Sequence, residues 1–479
     1  MRGPSASFTL AVLVICLWYF PFIEALVPVE CVGNVTNPSA VCCPRNPENY
    51  QVCGGPSRGY CTKIVAPVQY VPIPFHMDDR VSWPNRFFSF ACQCRGNFFG
   101  TSCQDCWFGW TGPNCDIPVI KVRKDIRDLT TKERRILIDV LARSSHWPSG
   151  YALVDETDNF HSDPLNDPRF VKANIQYYVA YIHRYGSRTT LYKTDEDCNT
   201  YGMLDFIHDG PGFATWHRYF TLLWEQMLGK IAKKLYGVEN FSVPYWDWVG
   251  MRECDVCTNE FIGAPGNVDE YGLRIHEGSP FSNWTEYCYE PNNRLRCYGC
   301  QHAGVVGKLT RRWRHYDFPD QSDIGFLLGL KDFYVRGERD STKCTSFSMA
   351  LEGFCGRSES AGPDLWMHNK VHNMVDGSMC CVGTAANDPL FLLHHIMVDK
   401  IFTAWYQKYD PPLTVYPQQA VRPGHCRDCF MPGFFPLARN ADMFTDTRNL
   451  GYVYVNSLFG VRAQNGRPPI SASMTSRNS

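Results

Sequence analysis

A dominant charge is missing from this chain: 47 lysines and arginines stand against 48 aspartates and glutamates, with no basic run among them. That balance excludes the electrostatic footprint of a nucleic-acid binder or of a protein held on an anionic membrane surface. Long apolar runs are equally scarce. Beyond the first 25 residues no stretch is long enough to cross a bilayer, so no transmembrane segment is expected there. No internal repeat or low-complexity array is present, which excludes solenoid architectures. Nothing in the pattern speaks to oligomeric state.

Cysteine is abundant, with 23 residues in 479. The chain opens MRGPSASFTLAVLVICLWYFPFIEA, with a charge at Arg2, an apolar run from Phe8 to Phe22 and a small residue at Ala25. This is the layout of a secretory signal peptide over residues 1–25; the rival, an uncleaved anchor, has a short run for a span. Removing Cys16 with the signal leaves an even number of cysteines, as suits a disulfide-linked protein of an oxidising compartment. Sequons at Asn34, Asn240 and Asn283 are expected glycosylation sites in the same setting. Residues 461–479 are polar and rich in Pro and Ser and read as a disordered tail; a chain cut before a membrane anchor would end the same way.

Two regions lie between these ends. Residues 26–118 hold ten cysteines among Gly, Pro and Asn, and Cys92 to Cys115 has the short spacings and Gly-aromatic turns of an EGF-like module. A module this small is stapled by disulfides rather than by a core. Zinc ligation by these cysteines is the alternative. From 119 to 460 cysteines thin out and helical periodicity takes over, giving a mainly α region with long loops. Thr130 and Glu133 form a capping box ahead of ERRILIDVLAR. In FATWHRYFTLLWEQMLGKIAKKLYG, residues Phe213, Trp216, Phe220, Leu223, Met227 and Ile231 make one apolar stripe. Asp388 and Pro389 read as N-cap and first residue of the helix holding His394 and His395.

Six of the fourteen histidines fall into two sets of three: His183, His208 and His217, then His368, His372 and His395. His368 and His372 are four residues apart, so on a helix their rings share a face and grip one ion. Three imidazoles leave a coordination position open, which catalysis needs. Imidazole suits copper, zinc and iron better than magnesium or calcium. Taken singly, any of these histidines reads as an ordinary core or surface residue; six on aromatic-rich helices do not. His76, His146, His161, His276, His302, His315 and His425 have no partner at ligand spacing.

The runs FATWHRYF, SVPYWDW, CDVCTNEF, ALEGF, WMHNKVHN, ANDPLFLLHHIMVD and LGYVY, with the N-terminal cysteine pattern, resemble the tyrosinase family of type-3 copper proteins, its animal pigment-cell branch above all. The resemblance covers roughly residues 30 to 455. It implies a four-helix-bundle dicopper core, with His183, His208 and His217 on one copper and His368, His372 and His395 on the other. QYYV at Gln176 looks like the family's HYYV with its histidine lost, and His183 then takes the ligand slot with one insertion near Cys198.

The resemblance further implies oxidation of small phenols by dioxygen, with ortho-hydroxylation of tyrosine-like monophenols and conversion of diphenols such as dopa to o-quinones for melanin synthesis. The setting it implies is a melanosome-like lumen or the outside of the cell. Glu352 and Asn369 match the family pair that orders a water for phenol deprotonation, and Val382, Phe391 and His394 the substrate-lining positions. Of the neighbours His394 and His395 only one is expected to face the ion, with the ligand at His395; a histidine at 394 favours a true tyrosinase. Ala385 replaces a serine, and Phe206 stands where fungal and molluscan relatives carry a cysteine linked to a ligand. Local disulfides are expected at Cys254/Cys257, Cys297/Cys300 and Cys426/Cys429, and a bridge from Cys380 or Cys381 to Cys344 or Cys355. Other readings are a catechol oxidase, a zinc-loaded dopachrome tautomerase, a dioxygen carrier and a non-catalytic melanosomal partner.

Overall fold

The computed structural model describes residues 26–34, 41–67, 79–85, 87–154, 170–187, 205–269, 272–287, 307–312, 317–338, 343–356, 366–419 and 421–455. The signal segment, the polar tail, Cys297, Cys300 and the insertion near Cys198 lie outside them. Seven helices of six residues or more organise the described chain: α1 (Thr131–Arg143), α2 (Ile175–Ser187), α3 (Gly212–Tyr236), α4 (Gln321–Gly329), α5 (Phe347–Glu352), α6 (Met367–Val375) and α7 (Leu390–Tyr409). Strands form only small sheets of two or three around them. No helix among the described residues is long and apolar enough to cross a membrane.

The helix starts follow local chemistry. At α1 the Glu133 amide donates to Thr130 Oγ1 and the Thr130 amide donates to the Glu133 carboxylate, the expected capping box. Before α7, Pro389 takes the cap position rather than the first turn, one residue later than expected. Asp388 still accepts from the Leu390 amide at 2.8 Å, and Arg311 clamps both its oxygens. α3 ends at Gly237, whose left-handed conformation carries no Cβ penalty.

α3 and α7 are the spine of the core. The apolar stripe on α3 is buried as expected, apart from a half-buried Met227, but so is every other residue from Gly212 to Glu225. Polar members of that run are paired: Arg218 meets Asp399 of α7 at 2.5 Å, and Glu225 accepts from Lys121 and the Val243 amide. Arg123 lies between Glu225 and Asp399, 3.4 Å from each, with Tyr452 under its guanidinium. The hydroxyls of Tyr452 and Tyr454 donate to Asp399 at 2.6 Å. This knot joins both helices to the parallel pair of strands Lys121–Arg123 and Tyr452–Tyr454, tying the start of the helical region to its end.

All ten cysteines between 26 and 118 are paired: Cys31–Cys42, Cys43–Cys61, Cys53–Cys92, Cys94–Cys103 and Cys106–Cys115. Pairing, not zinc, holds this region. The Cys92–Cys115 stretch is not closed on itself, since Cys92 reaches back to Cys53. The region packs on α3 through Phe108 against Tyr219, Asp105 with Lys230, and the Cys106 carbonyl, which accepts from Gln226. The hydrophobic core runs without interruption from it into the helices.

The expected local bridges Cys254–Cys257 and Cys426–Cys429 form. The expected link from Cys380 or Cys381 to Cys344 or Cys355 does not. Cys344 and Cys355 bond to each other across the loop that carries α5, and Cys380 and Cys381 remain thiols. Of the sequons, Asn240 and Asn283 are exposed.

Candidate metal centre

Four helices deliver five of the six predicted histidines to one buried space: α2 carries His183, α3 His217, α6 His368 and His372, and α7 His395. His208 comes from the turn before α3. In the first set, ring centroids lie 5.2 Å apart for His183 and His208, 5.5 Å for His183 and His217, and 5.0 Å for His208 and His217. One nitrogen from each falls within 4.8 Å of the others. The second set gathers as closely, and the two face each other: the rings of His217 and His395 stack at 4.4 Å.

The hydrogen bonds at the back of the rings decide what the front can do. His208 Nδ1 lies 2.8 Å from Asp205 Oδ2, His217 Nδ1 2.9 Å from the Phe213 carbonyl, and His372 Nδ1 2.8 Å from the Met379 carbonyl. His368 Nδ1 lies 3.0 Å from Asn369 Oδ1 and 3.3 Å from the Glu352 carbonyl. Every one of these partners is an acceptor, so each ring donates from Nδ1 and keeps its lone pair on Nε2. His395 Nε2 then sits 3.2 Å from His368 Nε2 and 3.3 Å from His372 Nε2. A cation placed between these three nitrogens would take a lone pair from each, with His395 in the same tautomer as the other two. The spacing is that of nitrogens ligating one metal tetrahedrally at about 2.0 Å.

Other atoms of the rings lack partners altogether. Both nitrogens of His183, Nε2 of His217 and Nδ1 of His395 are buried without a hydrogen bond. A buried polar atom left unsatisfied is costly, and a metal ion would remove that cost for His217 Nε2 and for one nitrogen of His183. Burial also pushes the imidazoles of His183, His217, His368 and His395 well below their ordinary range, and His372 down to about 4. Neutral imidazole is the metal-binding form. The residues present fit a pair of metal ions.

His394 departs from expectation. It does not turn away from the second set: its ring stacks on His368 at 5.0 Å and lies 4.8 Å from His372, with neither nitrogen hydrogen-bonded. The close nitrogen contacts nonetheless belong to His368, His372 and His395. Phe391 stacks on His395 at 4.0 Å and stands edge-on to His183 at 4.9 Å, forming a wall common to both sets. Phe391 and His394 are fully buried, whereas Val382 is half exposed with its backbone close to His183. Gln176, two helical turns before His183, donates instead to the Thr285 carbonyl. Phe206 lies under the Arg80 guanidinium, which also donates to carbonyls at the end of α2.

Glu352 ends α5 behind the first set. Its Oε1 accepts from the Asp209 amide at 2.7 Å, while Oε2 is buried without a partner. Burial, and then the charge of Asp209, raise its carboxyl well above the usual range. Asn369 touches His368 rather than presenting its amide to the Glu352 carboxylate.

Sequence reasoning passed over three contributors. Asp205 carries a signal, an acidic residue three before His208, that pattern reading did not use. Met379 acts through its carbonyl, which no side-chain pattern announces. His425, set aside for want of ligand spacing, lies fully buried against the DGPG turn, where Nδ1 accepts from the Gly212 amide at 3.0 Å. A Cβ added at Gly210 or Gly212 would meet its ring at 2.6 and 2.8 Å.

The helices thus assemble two facing trios of imidazoles that could hold a pair of metal ions. The family model for the common central domain of tyrosinase matches residues 173–408. The chain is 36% identical to the tyrosinase of Pelophylax lessonae over 434 residues, 87% of this chain and 79% of that one. It is 36% identical to the tyrosinase of Canis lupus familiaris over 467 residues, 93% and 85% of the two chains. The 5,6-dihydroxyindole-2-carboxylic acid oxidase of Gallus gallus is 30% identical over 458 residues, 90% of this chain and 83% of that one. A solved polyphenol oxidase from Thermothelomyces thermophila overlays at TM-score 0.44 and 14% identity, over 70% of this chain and 89% of that one. The chain belongs to the tyrosinase family.

Proposed function

We propose that this chain uses two copper ions to oxidise phenols, hydroxylating tyrosine-like monophenols at the ortho position and converting o-diphenols to o-quinones that feed melanin synthesis. His183, His208 and His217 hold the first copper and His368, His372 and His395 the second. The observation that carries this reading is the pair of facing buried trios, each offering one ring nitrogen per histidine within 4.8 Å of the others, with Phe391 as their common wall. Zinc would fit the nitrogens equally well, but it has no redox chemistry, and one of the relatives is named an oxidase. Copper, when bound, supplies the electron exchange with dioxygen.

The chain's own groups orient the phenol and take its proton. Val382 marks the open side, and Phe391 and His394 shape the inner wall. Glu352, with Asn369 ordering a water beside it, is the base. A carboxylate whose pKa is raised by burial accepts a proton readily. Oxidation takes place in the secretory pathway, in a melanosome-like lumen or outside the cell, as the density of disulfides supports.

Metal analysis with tyrosine and dopa turnover on purified protein tests the reading. Two coppers per chain with tyrosine hydroxylation is expected; bound zinc with dopachrome isomerisation and no oxidation would overturn it in favour of a tautomerase. Glu352→Gln is expected to keep both coppers and lose roughly 10²–10⁴-fold in activity on monophenols, with a much smaller loss on diphenols. Equal losses on both would remove Glu352 from the role.

A further inference from the structure

Sixteen of the described cysteines are joined in eight disulfides. Cys380 and Cys381 are thiols, adjacent in sequence, with Sγ atoms 3.0 Å apart. Both are partly exposed, so small reagents reach them. We propose that this pair is a reversible redox modification site, closing to a disulfide between sequence neighbours, and that closure loosens the second histidine set. Only the effect on bound metal rests on the function proposed above.

The geometry argues for both halves. The sulfurs already touch, so bond formation needs little side-chain movement. The backbone is what resists. Neighbouring Cα atoms lie about 3.8 Å apart across a trans peptide, below the roughly 4.4 Å at which ordinary disulfides begin. Closure therefore twists the 380–381 peptide, and a strained, accessible disulfide is the kind that is readily reduced again.

That peptide sits between two supports of the second set. On one side, the carbonyl of Met379 accepts from His372 Nδ1. On the other, the carbonyl of Cys381 accepts from the Thr384 amide at 3.0 Å and the Ala385 amide at 2.8 Å. These bonds start the short 3-10 turn Ala385–Asn387, which leads through Asp388 into α7 and His395. A twist at 380–381 thus pulls on the partner of one ring and on the lead-in to the helix bearing another.

The chemistry balances with a low-molecular-weight disulfide such as oxidised glutathione as oxidant. One thiolate attacks it, releasing one glutathione and forming a mixed disulfide. The neighbouring thiolate then displaces the second glutathione, so that one sulfur–sulfur bond forms within the chain. Two protons leave the thiols, and two electrons reduce the reagent.

The full chain, equilibrated in glutathione buffers from mildly reducing to oxidising, provides the test. Peptides holding 380 and 381 are scored by differential alkylation, and amide exchange is followed over residues 372–388. The expected result is loss of both thiols together, a peptide lighter by two hydrogens, and exchange at Thr384 and Ala385 faster on the order of tenfold. Cys344–Cys355 and Cys426–Cys429 stay bonded throughout, and the closed form holds one metal ion fewer. Cys381→Ser cannot close and is expected to keep its metal in every buffer. Thiols that remain alkylatable in all buffers, or closure that leaves exchange unchanged, would overturn the proposal. Closure with faster exchange in a chain that binds no metal in any state would support the thiol site while refuting the proposed function.

Discussion

Asp205 does for His208 what backbone carbonyls do for His217 and His372: it fixes the ring so that one nitrogen points at the centre. It also accepts from the amides of Ile207 and His208, which sets the turn itself. Asp205→Ala is expected to weaken metal binding at the first set by about 10–100-fold in chelator competition, with the second set unaffected. Asp205→Asn, which keeps an acceptor, recovers most of that loss; no difference between the two variants would rule out the role. His425 works at the same scale. His425→Phe keeps a ring between Gly210 and Gly212 but strips the acceptor from a buried amide, and is expected to cost about 1–3 kcal/mol in denaturant unfolding. The residues recognised by pattern were those whose chemistry is carried by side chains at helical spacing. Of those missed, Met379 acts through a backbone atom and His425 across more than 200 positions of sequence, whereas Asp205 stands only three residues before its histidine.

At the scale of elements, the capping box at Thr130 and the stripe on α3 were legible because both depend on neighbours within one or two turns. The fully buried start of α3 was not, since its polar residues look solvent-facing until Asp399 or Lys121 is brought against them. Composition changes near residue 118, but the two regions on either side meet closely. The backbone of Gly109 touches that of Gly451, where an added Cβ would stand 2.0 Å from the opposing Cα, and Gly451 holds φ at +75°. Gly451→Ala is expected to destabilise the protein by about 2 kcal/mol or more and to expose the Lys121–Arg123 strand to amide exchange. An unchanged melting temperature would show that this junction carries no such constraint.

The whole molecule is held by a charged knot as well as by apolar packing. Burial would raise Asp399, but Arg218, Arg123 and two tyrosine hydroxyls outweigh it and hold its carboxyl below the ordinary range. Glu225 is likewise depressed, its burial outweighed by Lys121 and Arg123. A carboxylate depressed on folding contributes stability that is present above its unfolded pKa, about 4, and lost as pH falls through the lower folded value. Asp399→Ala strands two buried arginines and is expected to cost about 3–5 kcal/mol near neutrality. Below about pH 4 its unfolding free energy should also fall less steeply than that of the parent chain; parallel curves would show that Asp399 does not govern acid stability.

The sequence by itself determined the helical class, the disulfide-rich start, the two histidine trios and the family, because these rest on residue type and short spacing. Only the tertiary structure decided which trio atoms face inward, that Cys344 pairs with Cys355 and leaves Cys380 beside Cys381, and that His394 stays with the second set. Each of these depends on distances between segments far apart in the chain, which are set by how α3 and α7 pack and by which acceptor a neighbouring loop brings to the back of each ring.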